Sequence, residues 1–300
     1  MSSAATGLPV SGRPARKFNR LRRLGAHGSL VIGGGILIVI ILAAVLAPLL
    51  APYDPYAQDL AHRLVPPFWY AKGGWAHPLG TDQLGRDYLS RVLYGARISL
   101  TIGVSVALIS GLIGTALGLA AGYFGGKVDL AVTFLITVRL AMPVILVALA
   151  VVAVVGGSLW VVILVLGFLK WDRFVVVMRS ATQQVRSLDY VAAAQAAGAS
   201  TWRIVTREVL PNIAPYLIVT ATLEAASAIL LEAALSFLGL GVQPPLPSWG
   251  LMIAEAKAYM FFSFWLIAIP GGALALLIFA INLAGDGLRD AIAPDGRAGQ

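Results

Sequence analysis

Long apolar runs separated by short polar stretches dominate this chain. Six stand out: Leu30 to Leu50, Ile98 to Ala121, Leu130 to Val155, Ser158 to about Met178, Ala214 to Leu238 and Phe262 to Ala284. A helix needs about 20 apolar residues to cross a bilayer's hydrocarbon core. The pattern therefore predicts an all-α, polytopic membrane protein with six transmembrane helices. The first run is too long for the roughly 7 to 15 residues of a cleavable signal core, so it reads as a retained helix ended by Pro48, Pro52 and Pro55. The fourth run is the least regular, because Lys170, Trp171, Asp172 and Arg173 interrupt it. Trp171 is expected at the inner interface, with the helix continuing to Arg179. In the second run Gly111, Gly118 and Gly122 fall on closely related faces, a pattern that lets membrane helices touch.

Composition agrees with this reading: 59% of the 300 residues are hydrophobic and the mean hydropathy is +0.85. The net charge of +8 is read through its placement and not as a sign of nucleic-acid binding. Six spans put both termini on one side. With the termini inside, 15 of the 22 Lys and Arg residues fall inside and 6 outside, Arg139 lying within a span. That excess satisfies the positive-inside rule. The chain then divides into a cytoplasmic tail (1–29), the first transmembrane helix (30–50) and an extracytoplasmic segment with an amphipathic helix (51–97). A five-helix core (98–285) with a cytoplasmic loop at 179–213 and a cytoplasmic tail (286–300) follow. There is no cysteine, and His27, His62 and His77 are scattered, so no metal site is expected.

The stretch from Ser187 to Asn212 is a polar, small-residue island between apolar runs. Tyr190 to Ala197 has high helix propensity, Gly198 can supply the positive φ that ends a helix, and Ser200 or Thr201 can cap the next one. Ala192, Ala193, Ala194, Ala196 and Ala197 leave almost no side-chain bulk, so another protein could approach this helix closely. An alanine-rich loop can also be a mere connector. The order of residues resembles the cytoplasmic loop of ABC importer permeases, whose pattern is Glu-Ala-Ala, three residues, Gly, and then Leu-Pro. Here Ala192-Ala193-Ala194, Gly198 and Leu210-Pro211 match it, with Ala192 in the place of the usual Glu.

Three more blocks carry the resemblance further: the string from His77 to Leu100, the one from Glu232 to Gly250, and the one from Ile281 to Pro294. Together they are similar to the C-type permeases of dipeptide, oligopeptide and nickel importers. That resemblance implies a type I importer permease fold in a bacterial or archaeal cytoplasmic membrane. It also implies a homologous B-type permease, two ATPase subunits or domains and an extracytoplasmic substrate-binding protein as partners. The loop's short helix would seat in a cleft of the ATPase, with Asp189, Tyr190, the three alanines, Gly198, Leu210 and Pro211 at the contact. ATP and Mg would be used by the partner and no cofactor would be bound by this chain.

Charges within the spans are the remaining chemistry. Glu224 lies ten residues into the fifth run, about 15 Å along it and near the midplane, where a charge must find water or a partner. It either lines a translocation path and meets a cation such as a peptide amine, or bonds one helix to another. Glu232 matches the family's Glu and is expected to line the path, or to act structurally or in gating. Arg139 precedes Pro143 and is expected to satisfy a carbonyl freed by the proline. In that helix Phe134 and Thr137 stand where the family has an Arg and an Asp. Asp82, Arg86, Asp87 and Arg91 are expected on a solvated amphipathic helix, with substrate contact as the other reading. No Walker A pattern is present, since Gly125-Gly126-Lys127 is followed by Val128. An enzyme is therefore not expected; a self-powered secondary transporter or channel, or a receptor, are the other classes.

Overall fold

The computed structural model describes residues 28–292. The basic tail and most of the C-terminal tail lie outside the described residues. Among these residues all the regular structure is helical, without strands, and residues 51–87 are mostly turns and irregular chain. The helices are α1 (Gly28–Val45), α2 (Tyr88–Phe124), α3 (Gly126–Leu140), α4 (Val144–Val155), α5 (Leu159–Leu169) and α6 (Asp172–Arg186). After these come α7 (Asp189–Ala196), α8 (Thr201–Phe237), α9 (Trp249–Ala256) and α10 (Trp265–Ile292).

The helices α1, α2, α8 and α10 are each long and apolar enough to cross a membrane, and the bent pair α3 and α4 makes a fifth if the two are taken as one span. The fourth run is split at Lys170 and Trp171 into α5 and α6, and it is a crossing only if these are taken together. Proline explains the breaks. Leu46 interrupts the first run, a single turn Ala47–Leu50 carries Pro48 as its second residue, and the chain extends before Pro52. Between α3 and α4 the axis turns by 78° at Pro143, which has no N–H to continue the ladder.

Two helices organise the packing. α2 contacts α1, α3, α5, α6 and α8, and α8 also contacts α10. Glycine makes the α2–α6 contact possible. A Cβ at Gly114 would lie 2.4 Å from Phe174 Cβ, and one at Gly118 would lie 2.7 Å from Met178 Cβ. Gly111 meets Phe174 and Gly122 meets Thr182, so the small face is one residue richer than the sequence spacing indicated. Outward-facing α1 side chains such as Val31, Ile38, Val39 and Leu42 are exposed, the surface expected of a lipid-facing helix.

The bundle has two unlike ends. At one, residues 51–87 and α9 form a cap; at the other, α7 projects as a knob. The cap is ordered mainly by hydrogen bonds. Thr81 donates its N–H to Val65 O at 2.9 Å, and its hydroxyl donates to His62 O at 2.6 Å. Leu64 N donates to Asp82 O at 3.0 Å.

The expected solvated amphipathic helix is not found there. Asp82, Arg86, Asp87 and Arg91 are all buried. Asp82 and Arg86 lie in a turn, where Gly85 takes φ +74 with its Cα against the Asp59 backbone. Asp82 Oδ2 receives Arg86 Nε at 2.6 Å and Arg91 Nη1 at 2.5 Å, while Glu255 Oε2 on α9 receives Arg91 Nη2 at 2.8 Å. The i, i+4 spacing looked helical because the turn also brings Arg86 back onto Asp82. Pairing with Glu255 is what allows both arginines to leave water. Burial pushes the Glu255 carboxyl above the usual carboxylate range, against the opposing pull of Arg86. Asp87 caps α2, its carboxylate accepting from Ser90 N at 2.8 Å.

Candidate functional site

Two places gather the residues that the sequence singled out. The first is the knob. α7 runs over Asp189–Ala196 and ends as the sequence predicts, with Gly198 at φ +76. The N–H of Gly198 donates to Gln195 O at 2.9 Å and that of Ala199 to Ala194 O at 3.0 Å. This pair of bonds is a Schellman closure, which requires a left-handed residue at the position of Gly198. Ser200 then caps the start of α8, its hydroxyl accepting from Arg203 N at 3.4 Å. Nothing lies within 4 Å of a Cβ built on Gly198. Its role is therefore conformational, not steric.

The knob is held to the bundle by one deep contact. Val191 is fully buried in a cluster with Tyr123, Met178, Val185, Ile204 and Ile213. Gln195 Nε2 adds a long hydrogen bond of 3.5 Å to the Tyr123 hydroxyl. Asp189, Tyr190, Ala192 and Ala193 stay exposed, and Ala194 is half-buried. The structure thus brings the expected contact residues onto one small, low-relief surface. Leu210 and Pro211 lie further along α8, behind a turn of π-helix at Val205–Val209. There Asn212 Nδ2 donates to Glu208 O at 2.6 Å. Sequence reasoning missed Trp202, which is 77% exposed beside the knob. Its signal was a lone tryptophan in a polar island. An Asp129–Arg179 pair, with Nη2 to Oδ2 at 2.7 Å, ties α3 to α6.

The second place is a cavity of about 220 Å³ lined by Arg139, Lys170, Asp172, Arg173 and Glu224 together with Leu140 and Val144. Two interruptions, the α3–α4 bend and the α5–α6 break, meet the middle of α8 here. Glu224 is almost wholly buried, and its two oxygens take Lys170 Nζ at 2.7 Å and Arg173 Nη1 at 3.0 Å. It is therefore a helix-to-helix link that also lines a cavity, and this chain's own cations occupy both of its oxygens. Lys170 also donates to Ser227 Oγ at 2.8 Å. Lys170 and Arg173, which the sequence placed beside Trp171 as interruptions of the fourth run, are thus drawn onto Glu224.

Arg139 acts as expected of a structural partner, though on a different carbonyl. Its Nε donates to Leu169 O at 2.6 Å and its Nη1 to Met142 O at 3.3 Å. Leu169 ends α5, so the guanidinium satisfies a helix terminus. Glu232 is fully buried instead, where Oε1 accepts from Ser236 Oγ at 2.7 Å and Ser248 Oγ at 3.0 Å. Ser248 caps α9, so Glu232 ties α8 to the cap. Among the described residues no group of His, Asp or Glu is placed to hold a metal ion.

Comparison with known proteins places this architecture. Residues 114–297 match the binding-protein-dependent transport system inner membrane component family, and residues 19–67 match the N-terminal TM domain of oligopeptide transport permease C. The di/tripeptide transport system permease protein DppC of Pseudomonas aeruginosa is 44% identical over 90% of this chain and 89% of its own length. The dipeptide transport system permease protein DppC of Escherichia coli K12 is 42% identical over 95% of each chain. The fold is similar to that of the MetNI methionine ABC transporter in an inward-facing conformation, with a TM-score of 0.55 at 17% identity, covering 67% of this chain and 96% of that one. The chain belongs to the binding-protein-dependent transport system inner membrane component family, whose members are non-catalytic permease subunits of ABC importers.

Proposed function

We propose that this chain is the C-type permease subunit of an ATP-driven importer for di- and oligopeptides, and that α7 is the element through which a separate ATPase moves it. The observation that carries the coupling reading is the geometry of the knob: a bare alanine surface, closed by Gly198 and plugged into the bundle by Val191. The plug lies in the same cluster as Met178 of α6 and Ile204 and Ile213 of α8. A push on α7 therefore reaches two helices that frame the charged cavity. The relatives named for dipeptide transport support peptides over nickel as substrate.

On this reading the knob end faces the cytoplasm and both termini lie on that side, as the basic residues indicate. The cap end faces a binding protein, and a homologous B-type permease completes the path. ATP and Mg are bound by the two ATPase subunits, and this chain contributes no catalytic group. Closure of the ATPases would rock α6 and α8 and expose the path alternately to each side.

The test is reconstitution of the chain with its neighbouring permease, ATPase and binding-protein subunits in liposomes, followed by uptake of a labelled dipeptide. Uptake that requires both ATP and the binding protein is the expected result. Uptake by this chain without any ATPase would instead make it a self-powered transporter or channel.

A further inference from the structure

The charged cavity has a small excess of cations. Its lining carries three cations, Arg139, Lys170 and Arg173, against two carboxylates, Asp172 and Glu224. Both oxygens of Glu224 are taken. Arg139 spends Nε and Nη1 on backbone carbonyls and turns Nη2 toward Asp172 at 3.8 Å. Arg173 differs from the other two. It uses only Nη1 on Glu224, its side chain is 61% exposed, and its remaining N–H groups have no partner among the described residues.

Depth makes that free edge informative. Lys170 follows the 11-residue α5, so the cluster lies about 16 Å along that helix, near half the thickness of a bilayer core. An unpaired guanidinium edge is costly at that depth unless water or an anion reaches it. The cavity has room for several waters at about 30 Å³ each, and helix interruptions at mid-depth are where transport sites are commonly built. A guanidinium fork fits a carboxylate with two parallel hydrogen bonds. Glu224 holds the fork in place, and the two lining carboxylates keep the local charge low, so an anion would be attracted without being trapped.

We infer that this cavity is a transient binding site for the carboxylate of the transported molecule, with Arg173 as its principal contact. This rests on the peptide reading above, in which the carboxylate is the peptide's C-terminus. Lys170 and Arg139 supply the surrounding positive field.

Chemical protection of Arg173 tests the site directly. The assembled importer, without nucleotide or binding protein, is treated with phenylglyoxal, and modification of Arg173 is followed by peptide mass spectrometry. Alanyl-alanine is expected to slow modification several-fold, and its C-terminal amide is not. Equal protection by both compounds, or by neither, overturns the inference. An Arg173 that does not react at all in the assembled importer also overturns it, in favour of a carboxylate of the neighbouring permease on that edge.

Uptake gives a second, independent readout. In the full reconstituted importer, Arg173→Gln is expected to lower maximal dipeptide uptake on the order of tenfold, the scale of one lost charged contact, at unchanged half-saturating concentration. Arg173→Lys is expected to recover part of it. Full uptake in Arg173→Gln contradicts the site while leaving the peptide-importer reading intact. Absence of ATP-driven peptide uptake in the unmodified importer contradicts that reading instead.

Discussion

The backbone N–H of Ala199 reaches back to the carbonyl of Ala194 at 3.0 Å, across a Gly198 held at φ +76. This bond ends α7 and turns the chain toward α8, so the direction of the knob depends on one left-handed residue. A β-branched residue at that position opposes the turn by roughly 1–2 kcal/mol or more. Gly198→Val is therefore expected to abolish ATP-driven uptake and weaken retention of the ATPase on purification, with membrane insertion unchanged. Gly198→Asn, which tolerates the same φ, should keep most of both. Because the surroundings of Gly198 are open, equal loss in the two variants would contradict a conformational role for the glycine.

Val191 makes the complementary prediction. It is the one fully buried residue of α7, and truncation to Ala removes buried methyl groups at a cost of roughly 1–3 kcal/mol. Hydrogen exchange should then accelerate across α7 while α2, α8 and α10 keep their protection. Acceleration spread evenly over the bundle would mean that the knob is not separately anchored.

At the α2–α6 crossing a Cβ at Gly114 would lie 2.4 Å from Phe174 Cβ and 2.6 Å from Trp171 O. Gly114→Ala is expected to cost about 1–3 kcal/mol through overpacking, read as a lower melting temperature in detergent. Gly35→Ala on α1, where nothing lies within 4 Å, should be near neutral. Matching losses at both sites would contradict the close crossing.

In the cap, Arg91 bridges Asp82 and Glu255 with its side chain buried. Arg91→Met leaves the two carboxylates to share Arg86 alone, an uncompensated buried charge that is expected to destabilise the cap by about 3–5 kcal/mol. Limited proteolysis within residues 51–87 reports it. Replacing all four members of the network, Asp82, Arg86, Arg91 and Glu255, by apolar residues should cost less than Arg91→Met alone. The opposite order would mean that the network contributes more than it costs to bury.

Much of the fold was legible because bilayer crossing is written in uninterrupted apolar length. The knob was legible for a different reason: alanines, a glycine and a Ser cap are local signals that need no tertiary partner. What could not be read was the fate of the charges. Asp82, Arg86 and Arg91 have the spacing of a solvated helix, and only the fold brings Glu255, far along the chain, onto them. Glu224 likewise looked solitary because its partners Lys170 and Arg173 sit in what reads as the interfacial end of another helix. Sequence spacing reports neighbours along one helix, whereas buried charge is settled between helices.

The claim that α7 receives the ATPase is tested most directly by a label on its exposed face. The chain has no cysteine, so Ala193→Cys carries a single photoreactive group without background. In the assembled importer this group is expected to form its main adduct with the ATPase subunit, with a yield that changes when ATP is added. Adducts confined to lipid or to the neighbouring permease, unchanged by ATP, would contradict the account.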